Sequence, residues 1–208
     1  MQQSSVTSND ASANTRATDA DINQLVNALS TLQANNPAIT SNDDTSLSQW
    51  IHNSNIAVSQ DTVQLVSLVE AIFDVIQQHP VITKELGAQI KQLEVPIAKT
   101  AIIDPGFFTS EQHPAKLFLN QLVNVFLNTD LPNKTLEKKV DAVIADINNN
   151  FDQDTNVFEQ ALDNLEKIGL QQLKANQRNT DRIVQTYDGR QRVQQAQDYG
   201  AHPDWYAN

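Results

Sequence analysis

The chain has 208 residues, with 25 acidic against 14 basic side chains, a net charge of −11, a hydrophobic share of 39% and no cysteine. That length holds one domain of ordinary size or a smaller one with long tails. A negative excess of this size repels phosphate backbones and anionic headgroups, so neither nucleic acid nor a membrane is expected as a partner. The missing cysteines remove disulfides, thiolate metal sites and cysteine nucleophiles together.

Residues 1–18 hold almost no large apolar side chain and are predicted as a disordered tail. Ile22, Leu25, Val26, Leu29 and Leu32 then recur at helical spacing, with Asp19 or Asp21 available as the N-cap of a first helix. A polar linker follows to Gln60, in which Leu47, Trp50 and Ile51 mark a short docked helix. Asp61 is placed to cap a strong helix whose Leu65, Leu68, Val69, Ile72, Phe73 and Ile76 cover more than one face. An arc that broad predicts a helix at the centre of the core, ended by His79-Pro80. From Thr83 the stripe resumes through Leu86, Ile90, Leu93 and Ile97, and Pro96 within it predicts a break near Val95. A short piece with Ile102 and Ile103 ends at Asp104-Pro105-Gly106, a turn in which Pro fixes φ and Gly tolerates positive φ.

Beyond Phe107 and Phe108, Pro114 suits the first position of a helix, because the N–H it lacks has no partner there. His113 therefore falls at the N-cap of a helix carrying Leu117, Phe118, Leu122, Val123 and Phe126. Asn133 caps the next, with Leu136, Val140, Val143, Ile147 and Phe151 inward, and a last helix starts near Asp154 with Phe158, Leu162, Leu165 and Ile168. After Leu173 the stripe thins to Ile183, Val184, Tyr187 and Val193, and only Gly189 discourages helix up to about Asp198. The expected architecture is an all-α bundle of about five helices. Its parts are a tail (1–18), a helix with a polar linker (19–60), a helical domain (61–173) and an exposed helical extension (174–208).

Three groupings invite a chemical reading. Asp104, Ser110 and His113 have the residue types of a Ser-His-Asp set, but no nucleophile turn or oxyanion hole accompanies them, and a turn with a helix cap is the expected role. Asp152, Asp154 and Asn156 begin like a calcium loop, which Val157 spoils where Gly is needed and Asp163 spoils where a bidentate Glu is needed. His52, His79, His113 and His202 sit in separate segments without i, i+4 pairing, so no metal and no cofactor is expected. Phe107 and Phe108 either both fold inward or leave one outside as an anchor for a partner, which makes them the candidate partner surface.

"LVEAIFDVI" (68–76), "LEVPIAKTAIIDPGFF" (93–108) and "HPAKLFLNQL" (113–122) occur in the order and spacing of a bacterial family designated DUF1631, which the chain resembles. The acidic stretch at 151–168 is similar to the family's next helix. The resemblance makes Asp104, Phe107, Phe108, His113 and Pro114 the family motif. Where members often carry a Gly-Trp pair, this chain has "FLNTDLP" (126–132), and members are typically several times longer. The family's C-terminal region, of a cyclic-dinucleotide-binding type, has no counterpart here, nor does any Gly-rich phosphate loop support the "thymidine phosphorylase" label that some members bear.

With no run near the roughly 18 apolar residues that span a bilayer and no secretory apolar core, the expected compartment is the cytoplasm. The expected function is a non-enzymatic interaction or scaffolding module that binds a protein partner or another region of its own protein. A regulatory module of a larger signalling protein, and an enzyme, are the rivals.

Overall fold

The computed structural model describes residues 19–35, 46–129 and 132–200, and among these there are nine helical segments and no strand. In chain order they are α1 (Asp19–Asn35), α2 (Leu47–Asn53), α3 (Gln60–Gln77), α4 (Lys84–Lys91), α5 (Glu94–Ile103), α6 (Gly106–Thr109), α7 (Pro114–Leu127), α8 (Lys134–Asn150) and α9 (Asn156–Gly200). The all-α class agrees with the periodicity. The count exceeds about five because three short segments, α2, α4 and α6, stand beside six longer helices. The expected tail at 1–18 and the last eight residues of the expected extension lie outside the described residues.

The centre of the core is α5, not α3. Residues Glu94 to Ala101 of α5 are all buried, and α1 and α3 both pack on it. The wide apolar arc of α3 is instead divided between two environments. Val66, Val69 and Phe73 face the core, whereas Leu68 and Val75 are 50% and 70% exposed.

Pro96 does not break a helix. The chain turns earlier, at Gln92 and Leu93, and Pro96 is the third residue of α5. There its missing N–H is one of those that have no intrahelical acceptor, so it costs nothing. The first bond of the helix, Ile97 N–H to Leu93 O, comes one residue later at 3.0 Å.

Ser59, rather than Asp61, caps α3: its Oγ accepts the Thr62 N–H at 3.1 Å. Asp61 takes a place in the first turn, where a carboxylate meets the positive end of the helix dipole. Thr83 caps α4, and Asn133 Oδ1 caps α8 by accepting the Leu136 N–H at 3.0 Å. The docked helix α2 is pinned by Glu70 on α3, whose carboxylate takes the Ser48 N–H at 2.7 Å and the Ser48 hydroxyl at 2.8 Å.

One continuous apolar cluster runs from Leu25 to Ile168. Helix α1 supplies Leu25, Leu29 and Leu32 to it, so the helix placed ahead of residues 61–173 shares the same core. A buried polar link ties α1 to its neighbours. The Gln33 amide donates to the carbonyls of Asn148 at 2.7 Å and Phe151 at 3.1 Å, and its Oε1 accepts from Lys99 Nζ of α5 at 3.1 Å. Lys99 is fully buried, with Nζ 4.9 Å from the centre of the Phe151 ring. Burial holds its ammonium below the ordinary lysine value of 10.5, and the Asp152 carboxylate partly opposes that shift.

Helix α9 has two halves. Phe158, Ala161, Leu165 and Ile168 pack it against α7 and α8. From Leu173 through Ala196 its side chains are exposed, and the segment after Leu173 projects about 40 Å at 1.5 Å per residue.

Candidate functional site

The motif residues converge on the short segment between α5 and α7. Asp104 ends α5, and its Oδ1 accepts the Gly106 N–H at 2.7 Å. Gly106 does not have positive φ; what matters is its lack of a side chain. A Cβ there would stand 2.8 Å from Asp104 Oδ1, so glycine lets the carboxylate close over the start of α6. The other carboxylate oxygen, Oδ2, lies 3.3 Å from His113 Nε2.

His113 is the N-cap of α7, with Pro114 in the first turn. Its Nδ1 accepts the Ala115 N–H at 3.2 Å. An acceptor at Nδ1 requires the ring proton to be on Nε2, and Nε2–H then donates to Asp104. Both ring nitrogens are thereby committed. Ser110 takes no part: its Oγ accepts the Gln112 N–H at 3.2 Å within its own loop. The Ser-His-Asp types are neighbours in sequence without forming a relay.

Phe107 is the keystone of this turn. It is 1% exposed, meets Phe108 edge-on at 4.8 Å and the His113 ring edge-on at 5.3 Å between centroids. Of the two arrangements expected for the pair, Phe107 takes the inward one, its ring packed in the core. Phe108 is half-buried against the same cluster, so neither ring stands free. Replacing His113 by Ala is expected to lower stability by about 0.5–2 kcal/mol through the lost cap. His113→Asn keeps a cap acceptor and should recover most of that loss in the same urea titration.

An open surface lies on the outer side of the turn. Helix α3 packs chiefly on α5, and α7 chiefly on α9, which leaves a groove of about 830 Å3 between α3 and α7. Leu68, Ile72 and Val75 form one wall at i, i+4 and i+7, and Leu119 and Val123 form the other at i and i+4. Phe107 contributes to the lining from beneath. Lys116 and Glu111 add opposite charges, their Nζ and Oε1 3.9 Å apart, and Lys116 Nζ also donates to the Phe108 carbonyl at 3.2 Å. The sequence places Leu68 in the core stripe; only the packing reveals it as a groove wall.

A second concavity of about 680 Å3 lies where α9 leaves α7, edged by Asn124, Asn128, Glu166 and Gln172. Its rim is mostly amides, with no cluster of convergent charge. Among the described residues no group of three His, Cys, Asp or Glu side chains is placed to hold a metal. Asp154, once a candidate calcium ligand, binds the N–H and side-chain amide of Asn156 at 3.0 Å each, at the start of α9. Among the same residues no helix is long and apolar enough to cross a membrane.

Fold and site thus define an all-α domain with a structural histidine-carboxylate turn beside an open apolar groove. Residues 17–154 match the model for the second domain of the proteins of unknown function designated DUF1631, and the chain belongs to that family. No curated protein and no solved structure matches the chain.

Proposed function

We propose that the chain is a non-enzymatic cytoplasmic docking domain whose α3–α7 groove receives an amphipathic helix of a protein partner. The observation that carries this reading is the pair Leu68 and Val75, half or more exposed on the wall of a groove that Phe107 lines from the core. Aliphatic residues at i, i+4 and i+7 on one wall and at i, i+4 on the other match the periodic anchors of a helix laid between them. A net charge of −11 favours a protein over nucleic acid or an anionic membrane.

Two features support a role without catalysis. His113 has no free ring nitrogen to act as a base. A phosphate-handling enzyme needs several cations converging on its substrate, and the groove lining offers Lys116, already engaged with Phe108 and Glu111.

The test is a photo-cross-linking residue at Val75 in the native cytoplasm. A discrete protein adduct is expected, reduced at least about tenfold by Leu68→Asp, which is the effect of losing one central apolar anchor. Circular dichroism should show the helix content of the variant unchanged. No adduct, or one indifferent to Leu68→Asp, overturns the reading.

A further inference from the structure

We infer that the helix received by the groove is the exposed half of α9 from a second copy of this chain, in a reciprocal two-fold dimer. This rests on the groove reading above and names its occupant. Leu173, Ile183, Val184 and Tyr187 are each more than half exposed. At 3.6 residues per turn they fall within an arc of about 100°, the width of a helix's docking face. The projecting half of α9 therefore carries an apolar face that its own domain leaves uncovered.

Charge selects what covers it. Residues 19–173 hold twenty acidic and eight basic side chains, whereas residues 174–200 hold five basic and three acidic. The domain is strongly negative and the projecting helix is net positive, with Arg190 one turn beyond Tyr187. Attraction thus runs from helix to domain. Pairing two projecting helices would instead set two net-positive segments against each other.

Geometry selects a second copy over the same one. Helix α9 is unbroken from Asn156 to Gly200, so its outer half cannot fold back onto the groove of its own domain. Its projection of about 40 Å matches the roughly 40 Å breadth of a domain of this size. Two copies set side by side with antiparallel α9 helices can each lay Ile183 to Tyr187 along the other's flank. The contact closes on itself, since each copy gives one helix and accepts one.

Sedimentation velocity of the full chain at tens of micromolar tests this. The expected mass is twice the 23.1 kDa of one chain. Val75→Asp and Tyr187→Glu, both at exposed positions, should each sediment as a monomer with unchanged helix content. An equimolar mixture of the two variants should associate again, because it retains one intact groove and one intact projecting helix. A cross-linker at Val75 of the purified chain should map to residues 183–187 of another copy.

A dimer lost in Tyr187→Glu but kept in Val75→Asp would mean helix-to-helix pairing and overturn the inference. So would a dimer kept in both variants. A monomeric wild type whose Val75 captures a foreign polypeptide in cells would overturn the second copy and leave the docking reading standing. A monomer that captures nothing would end both.

Discussion

Phe107→Ala is expected to lower the unfolding free energy by about 3–5 kcal/mol, the cost of removing a buried aromatic ring. The size follows from the position. The ring touches both Phe108 and His113 edge-on, and the turn that presents it is held by Asp104 at both carboxylate oxygens. Truncation removes the packing partner of the N-cap of α7 as well as its own buried area. Phe108→Ala, at a half-buried site, should cost less than half as much in the same urea titration. If Phe107→Ala cost under about 1 kcal/mol, the ring would be an adaptable surface group and not core. For the same reason, a charge at Phe107 tests the fold, whereas a charge at Leu68 or Val75 tests the surface.

The second large effect is expected at Gln33. Gln33→Leu leaves Lys99 Nζ without its amide acceptor in a fully buried site and strips the donor from two carbonyls. A cost of about 3 kcal/mol or more is expected, because a buried charged group loses more than a neutral one when its partner is removed. Lys99→Met in the same background removes the stranded group and should restore much of the loss, a coupling that a double-mutant cycle reads directly.

The dependence on pH has a defined sign. Lys99 has a lower pKa folded than unfolded, so between the folded value and 10.5 the unfolded chain holds more protons. The Lys99 contribution to stability therefore rises with pH across that alkaline window and is least favourable below it. Gln33→Leu should steepen this rise, and Lys99→Met should flatten it. A wild-type Lys99 contribution that fell with rising pH over the same window would contradict the assignment.

Much of the local structure was legible because short-range rules decided it. Pro114 identifies the first turn of α7 and so the cap at His113, and Asn133 stands just ahead of a clean stripe of threes and fours. At α3, two cap-competent side chains lie two residues apart, Ser59 and Asp61, and nothing local decides between them. The start of α5 was illegible for a different reason. Leu93 precedes it with no side-chain cap, so the visible irregularity was Pro96, which the first turn tolerates.

The larger misreading concerns what a wide apolar arc means. In α3 it marks a helix with one face in the core and another lining the groove. The element buried on nearly every side is α5, which carries Glu94, Lys99 and Thr100. Charged residues ordinarily mark a surface. Only the tertiary arrangement brings Gln33 to Lys99 across 66 positions of sequence and makes that lysine an interior group. The groove was illegible likewise, since the separation of α3 from α7 depends on how each packs elsewhere.

The unbroken backbone of α9 has one further consequence. A continuous helix transmits rotational phase as well as distance. Deleting one residue between Leu173 and Ile183 would turn every side chain beyond it by about 100° relative to the domain, while shortening the reach by only about 1.5 Å. Removing seven residues shortens it by about 10 Å but restores the bearing to within about 20°. Angular register, more than length, is thus what the polar middle of this helix preserves, and the residues there act as the shaft of a key whose bit is Ile183 to Tyr187.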